Sequence, residues 1–83
     1  MTEPRSLTPR QREILALAAN GYTNQQIGTL LGVSWQNANR ILGKAYRRLG
    51  ANDRAHAVAI ALAVGELGVH EIHIPDQQQE AAA

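Results

Sequence analysis

The sequence predicts an all-α fold, a small domain of four helices with no winged-helix sheet. Three observations lead to this prediction. Apolar residues recur at helical spacing through most of the 83 residues. Capping side chains precede the periodic segments and glycines follow them, as helix starts and ends require. Phe is absent and runs of Val, Ile and Thr are few, which argues against a sheet protein.

The first helix is predicted to begin after Thr8, whose side chain can cap it. Pro9 suits the first helical position, and Gln11 completes a capping box. Gly21 is expected to end the helix by supplying a left-handed residue. Residues 1–6, which precede it, are expected to form a flexible lead. The apolar face of this helix comprises Ile14, Leu15, Leu17 and Ala18.

A second capping box, from Thr23 to Gln26, predicts a short helix of about two turns that ends at Gly32. A tight turn follows, and Ser34 is a good cap for the next helix. The arrangement of a short helix, a turn and a longer helix indicates a helix-turn-helix motif. The apolar residues of the second helix that are expected to face inward are Ile27, Leu30 and Leu31.

The third helix, residues 35–49, separates into two faces at about 100° per residue. The apolar face comprises Ala38, Ile41, Leu42, Ala45, Tyr46 and Leu49. The opposite face comprises Gln36, Asn39, Arg40, Gly43, Lys44 and Arg47. Amide and guanidinium groups on a helix that is held from behind are what reading a DNA major groove requires. We therefore expect a DNA-binding protein.

A fourth helix, residues 54–67, is predicted to follow a cap at Asn52 or Asp53. It is apolar over more than one stripe, which indicates that another surface covers it. Beyond Gly68, the alternating segment VHEIHI predicts a short strand. These boundaries give a domain at residues 7–68, followed by an acidic, mostly disordered tail at residues 69–83.

Charge is distributed unevenly along the chain. Residues 1–54 contain all eight Lys and Arg and three Asp and Glu, a net charge of +5. Residues 55–83 contain four Asp and Glu and no Lys or Arg, a net charge of −4. The basic part is therefore suited to phosphates, and the acidic end is expected to face elsewhere.

Several classes of protein are excluded or disfavoured. The chain has no cysteine for a disulfide framework or a cysteine zinc site, and no apolar segment for secretion. Its longest apolar run, residues 57–64, is too short to span a bilayer. His70 and His73 are expected on opposite sides of a strand, which disfavours a metal site. Without a serine–histidine–acid grouping or a phosphate-binding glycine loop, we expect no enzyme, cofactor or small-molecule ligand.

Residues 7–62 resemble the LuxR-type (GerE-type) helix-turn-helix domain of bacterial transcription regulators. The most specific segments are LTPRQREIL, GYTNQQIG, the turn GVS, and YRRLGANDRAHAVA. The resemblance implies that the third helix enters the major groove and that the fourth helix forms the contact of a homodimer. It also implies that Thr23 and Asn24 approach the DNA backbone.

Chemistry and resemblance together assign three groups of site residues. The predicted base-contacting residues are Gln36, Asn39, Arg40 and Gly43. The predicted DNA backbone-contacting residues are Thr23, Asn24, Trp35, Lys44 and Arg47. The predicted dimer-interface residues are Val58, Ile60, Ala61, Leu62 and Val64. An arginine can bond guanine O6 and N7, and an asparagine adenine N6 and N7.

The third helix departs from the family pattern where sequence preference is set. The family usually has a Thr-Val-Lys-x-His run where this chain has residues 37–41, NANRI. Asn39 replaces the usual lysine, and Ile41 replaces the usual histidine. Arg40 restores the positive charge one position along. The DNA sequences preferred by relatives therefore cannot be transferred to this chain.

The predicted function is a sequence-specific, double-stranded DNA-binding regulator of transcription in a bacterial cytoplasm, nucleoid-associated or phage-encoded. Because Met1 stands a few residues before the first helix, a stand-alone short regulator is favoured over an excised domain. One alternative is a module like sigma-factor region 4, with RNA polymerase as its partner. Another is an antagonist that pairs with a larger regulator through its fourth helix.

Overall fold

The computed structural model describes residues 6–75, which form four α-helices and one 3₁₀ turn and contain no strand. The α-helices are α1 (Pro9–Ala19), α2 (Asn24–Leu31), α3 (Trp35–Leu49) and α4 (Arg54–Val64). The 3₁₀ turn is Val69–Glu71. The all-α, four-helix prediction is confirmed. None of the helices in this part of the chain is long and apolar enough to cross a membrane. Most of the predicted lead, residues 1–5, lies outside the described residues.

Reciprocal hydrogen bonds begin α1 and α2 where the sequence predicts them. Thr8 Oγ1 accepts from the amide of Gln11 at 3.1 Å, and Gln11 Oε1 accepts from the amide of Thr8 at 3.0 Å. Thr23 and Gln26 form the same pair of bonds at 3.1 and 2.8 Å. Each box satisfies two amides that a helix start leaves without partners. These starts follow from local sequence alone.

A single core joins all four helices to the segments before α1 and after α4. Its largest fully buried side chains are Ile14, Leu15, Ile27, Leu42, Leu49 and Leu67. Leu7 and Leu67 belong to this core although neither lies in a helix. Glu66 ties the two segments together, because its Oε1 accepts from the amide of Leu7 at 3.0 Å and pairs with Arg12 at 3.5 Å.

The turn between α2 and α3 depends on a glycine inside α2. A Cβ atom added at Gly28 would lie 2.6 Å from the carbonyl oxygen of Val33 and 3.2 Å from the amide nitrogen of Trp35. Gly28 is buried, and its carbonyl accepts from the amide of Val33 at 2.9 Å. Only a residue without a side chain allows α2 and the start of α3 to approach this closely.

Leu30 does not face inward as the sequence predicts, because 56% of it is exposed. The buried side of α2 is defined by Ile27 and Gly28. At about 100° per residue, Leu30 lies about 110° round the helix from the middle of that side. Leu31 lies near the middle and is half-buried. With two turns of helix, the apolar pattern alone did not separate these directions.

The predicted strand at VHEIHI is wrong, and α4 ends earlier than predicted. Gly65 has φ +83° and ends the helix at Val64. The amides of Glu66 and Leu67 both donate to the carbonyl oxygen of Ala61, at 2.9 and 3.1 Å, which turns the chain back and buries Leu67. An isolated strand has no partner for its backbone, and the described residues supply none.

Asn20 holds the segment after the 3₁₀ turn against the end of α1. Its Nδ2 donates to the carbonyl oxygen of Glu71 at 2.9 Å, and its Oδ1 accepts from the amide of His73 at 2.6 Å. Ile72 packs on the core beside them. Residues 71–73 are therefore held against the end of α1, whereas Val69 and Ile74 on either side of them are exposed. The remaining tail, residues 76–83, lies outside the described residues.

We expect Gly28→Ala to destabilise the fold by about 1–3 kcal/mol, since a methyl group must push the backbone of residues 33–35 away. Thermal or urea unfolding followed by circular dichroism measures the change. A variant that unfolds at or above the wild-type midpoint would contradict the proposed close approach.

Gly43→Ala is the matched control, because Gly43 is also a glycine inside a helix. A Cβ atom there meets only Arg47 Nη1, at 3.7 Å, which is ordinary contact. The substitution is therefore expected to stabilise the free protein by about 0.5–1 kcal/mol through reduced backbone entropy. The two variants should shift the unfolding midpoint in opposite directions.

Candidate nucleic-acid interface

One side of α3 is exposed and the other is sealed into the core. The exposed side carries Gln36, Asn39, Arg40, Lys44 and Arg47, with Gly43 half-buried among them. The sealed side carries Ala38, Leu42, Ala45 and Leu49, each at most 1% exposed. The sequence-predicted base-contacting residues are therefore brought together on one surface, which we call the α3 outer face. The buried side holds this face in a fixed orientation.

The α3 outer face is positively charged and contains no opposing carboxylate. No Asp or Glu occurs between Glu13 and Asp53. Within residues 6–75, the only ion pairs are Arg10–Glu13 and Arg12–Glu66, so Arg40, Lys44 and Arg47 carry unpaired charge. Such a surface attracts polyanions.

Arg48 does not share this face. Its Nε donates to the carbonyl oxygen of Ser6 at 2.9 Å, which joins α3 to the segment before α1. The sequence places Arg48 directly beside Arg47, but one step along a helix rotates a side chain by about 100°. Arg48 is therefore a structural cation that can serve as a control for charge on α3.

Arg40 is held along its own helix by a residue that the sequence analysis did not assign to the site. Asn37 Oδ1 accepts a hydrogen bond from Arg40 Nη2. The two residues are one turn apart, so the bond orients the guanidinium without crossing to another helix. An arginine has five donors, so the others remain available to a ligand.

The start of α2 adjoins the α3 outer face. Asn24 Nδ2 donates to Asn39 Oδ1 at 3.0 Å and so joins the two helices. Thr23, just before α2, is exposed, and its side chain accepts from the amide of Gln26. The structure therefore brings together Asn24 and Asn39, which were predicted to make separate contacts with DNA.

Arg54 holds the start of α2 through two hydrogen bonds, and no role was predicted for it from the sequence. Its Nη1 donates to the carbonyl oxygen of Tyr22 at 2.7 Å, and its Nη2 donates to Asn24 Oδ1 at 2.8 Å. Arg54 is the first residue of α4, where the helix dipole disfavours a cation. That unfavourable position was the one signal in the sequence that this arginine has a partner elsewhere.

Trp35 begins α3 with 47% of its surface exposed. It borders a shallow depression whose other lining residues are Gln25, Gly28, Thr29, Gly32 and Val33. The depression lies beside the outer side of α2. A half-exposed indole can stack or donate a hydrogen bond at such an edge.

The predicted dimer residues do not lie on one surface of α4. Ala61 is fully buried with Ala57, so its assignment to a dimer interface is wrong; it packs within the monomer. At about 100° per residue, Val58 and Leu62 lie on one flank of this buried line, and Ile60 and Val64 lie on the other. Val58, Ile60 and Leu62 are half-buried, and Val64 is 44% exposed.

A continuous small apolar surface exists on the Val58 flank. Ala55 and Ala59 are exposed and follow the same helical spacing as Val58 and Leu62. We call the four residues the α4 outer stripe. On the other flank, Ile60 is half-buried against the core, as Val58 and Leu62 are, and Val64 is 44% exposed. The α4 outer stripe differs in having two exposed alanines, Ala55 and Ala59, beside its larger residues.

Comparison with known proteins places this geometry in a family. The family model described as "Bacterial regulatory proteins, luxR family" (GerE) matches residues 5–61. A solved structure described as "Structure of Transcription factor, GerE" superposes with a TM-score of 0.71 at 31% identity, covering 75% of this chain and 92% of that one.

Full-length regulators show the same similarity over part of their length. The chain is 44% identical over 59 residues to the probable transcriptional regulatory protein SgaR of Hyphomicrobium methylovorum, covering 71% of this chain and 28% of that protein. It is 43% identical over 56 residues to the transcriptional activator protein BjaR1 of Bradyrhizobium diazoefficiens, covering 68% of this chain and 23% of that protein. The chain thus spans about a quarter of the length of these relatives. It belongs to the LuxR family of bacterial regulatory proteins.

Proposed function

We propose that this chain is a sequence-specific DNA-binding regulator of transcription that inserts α3 into the major groove. The single observation that carries the proposal is the α3 outer face, a polar and cationic surface without carboxylates on a helix sealed to the core behind it. A major groove is about 12 Å wide and admits one α-helix. The relatives named as transcription regulators support the same function.

Base contacts are assigned to the centre of the α3 outer face, at Gln36, Asn39, Arg40 and Gly43. Arg40 is oriented by Asn37 and keeps donors free, which suits the two acceptors of guanine. Gly43 leaves a gap between neighbouring side chains, where the backbone can approach a base edge or a thymine methyl. Each good contact discriminates by about 1–3 kcal/mol.

Phosphate contacts are assigned to the edges of this surface, at Lys44, Arg47, Trp35, Thr23 and Asn24. Lys44 and Arg47 supply unpaired charge toward the end of α3. Thr23 already binds the amide of Gln26, and the amides of Asn24 and Gln25 have no partner among residues 6–75. These two amides adjoin the α3 outer face, because the side chain of Asn24 bonds to Asn39. Contacts of this kind position a protein on DNA without reading its sequence.

A second copy of the chain is proposed to complete the binding unit through the α4 outer stripe. A few cationic contacts give non-specific dissociation constants on the order of 10⁻⁴–10⁻⁶ M, whereas specific regulators reach about 10⁻⁸–10⁻¹¹ M. Two linked domains on an inverted repeat close that gap by raising the effective concentration of the second domain. Val58 and Leu62 are the larger members of the stripe, and Ala55 and Ala59 allow close helix approach.

Selection of bound duplexes from random DNA tests the function directly. We expect the protein to enrich an inverted repeat, because two identical domains related by a twofold axis read identical half-sites. Failure to enrich any duplex, even at low salt, would overturn the proposal. Capture of RNA polymerase or of a larger regulator in the absence of DNA would instead favour one of the alternatives.

Arg40→Ala is expected to reduce the preference for the selected duplex over a scrambled one by about 1–3 kcal/mol. Lys44→Ala is expected to weaken both duplexes about equally and to lower the slope of log K against log salt by about 1, because it removes one phosphate contact. Fluorescence anisotropy titrations at several salt concentrations measure both quantities.

Arg48→Ala is the matched control for charge, since Arg48 lies on the same helix but bonds to Ser6. It should change the salt slope less than Lys44→Ala does. If Arg40→Ala and Lys44→Ala bind both duplexes as the wild type does, the α3 outer face is not the interface.

Ala59→Glu is expected to convert dimers to monomers, because it places a charge in the middle of the α4 outer stripe. Val64→Glu is the control: both positions are exposed, and they lie about 140° apart around α4. Sedimentation velocity measures mass, and circular dichroism checks folding. A folded Ala59→Glu variant of wild-type mass, or monomers from Val64→Glu alone, would remove this stripe from the dimer contact.

A further inference from the structure

Three side chains from three helices form one hydrogen-bonded series that ends on the α3 outer face. Arg54, on α4, donates to Asn24 Oδ1 on α2 at 2.8 Å. Asn24 Nδ2 donates in turn to Asn39 Oδ1 on α3 at 3.0 Å. Arg54 is anchored by its other terminal nitrogen to the carbonyl oxygen of Tyr22 at 2.7 Å. Arg54 and Asn24 are half-buried, whereas Asn39 is exposed.

Which amide atom donates and which accepts in this series is determined by Arg54. A side-chain amide can present either its oxygen or its nitrogen to a neighbour, and the choice follows from the hydrogen-bond network. Arginine has donors only and cannot accept a hydrogen bond. Asn24 must therefore turn its oxygen to Arg54, which leaves its nitrogen for Asn39. Asn39 must then turn its oxygen to Asn24.

The consequence appears at the end of the series. The oxygen and nitrogen of an amide leave the same carbon in different directions, so the Asn39 group that points away from Asn24 is the NH₂. Asn39 Nδ2 has no hydrogen-bond partner among residues 6–75. An asparagine free to rotate bonds adenine through its oxygen and its nitrogen together. Asn39 in this series instead offers hydrogen-bond donors.

We propose that Arg54 and Asn24 are positioning residues that determine specificity by making Asn39 a hydrogen-bond donor. On the contacted strand, this donor favours a base whose acceptors have no amino group beside them, guanine through O6 and N7 or thymine through O4. Adenine can accept only through N7 and loses the bond from its amino group, and cytosine presents only an amino group, so both are disfavoured. The inference rests on the proposed entry of α3 into the major groove, and it revises the adenine contact predicted from the sequence for Asn39.

Asn24→Asp tests the proposal because it reverses the direction of the hydrogen bond between residue 24 and Asn39 without removing that bond. The introduced carboxylate accepts from Arg54 but has no hydrogen to donate, so Asn39 is expected to rotate, donate to that carboxylate and present its oxygen to the DNA. Sequences are selected from random duplexes with the wild-type protein and with the variant. At the base pair read by Asn39, the ratio of guanine or thymine to adenine or cytosine should fall by about ten-fold or more.

Two further variants identify the base pair that Asn39 contacts and control for the added charge. Asn39→Ala identifies the base pair concerned, since only the preference at that pair should be lost. Gln25→Asp is the matched control for charge: it adds a carboxylate to the same turn of α2, at an exposed position outside the series. It should lower affinity for all duplexes as Asn24→Asp does while leaving the base preference unchanged.

Arg54→Met removes the donors that fix the orientation of the Asn24 amide. At the base pair that Asn39 contacts, this variant is expected to lose the preference for guanine or thymine over adenine or cytosine. Preserved wild-type preference in Asn24→Asp, at a pair where Asn39→Ala loses it, would overturn the proposal while leaving the proposed function intact. Absence of any enriched duplex with the wild-type protein would overturn the proposed function itself.

Discussion

The approach of α2 to the start of α3 at Gly28 is the constraint on which the candidate interface depends. The backbone of residues 33–35 lies where a side chain at position 28 would be. This contact sets the angle between the two helices and thereby brings the start of α2 beside the α3 outer face. The bond between Asn24 and Asn39 joins the two helices at this position.

The packing behind α3 and the polar contacts in front of it have different origins. Small and branched apolar residues, such as Ala38 and Leu42, bury one side of α3 in the core and leave its polar side outside. The polar side is then refined by a few hydrogen bonds, from Asn37 to Arg40 and from Arg54 through Asn24 to Asn39. The hydrophobic core thus orients the helix, and the polar contacts orient individual side chains on it.

The segments before α1 and after α4 are also held against the helices by side-chain hydrogen bonds. Glu66 bonds to the amide of Leu7 and pairs with Arg12, and Asn20 holds the segment that follows the 3₁₀ turn. Glu66 therefore contacts α1 and the segment before it, and Glu71 lies in the segment that Asn20 holds at the end of α1.

Local sequence determined the helix starts, the glycine ends of α2 and α3, the two faces of α3 and the uneven charge, because capping and helical periodicity act within a few residues. It did not determine the exposure of Leu30, the burial of Ala61, the 3₁₀ turn, or the roles of Gly28 and Arg54. Each of these depends on how two segments of the chain meet in space or on which flank of a helix the core covers. Only the tertiary structure decided them, since packing and directional hydrogen bonds between helices leave no periodic signal in the chain.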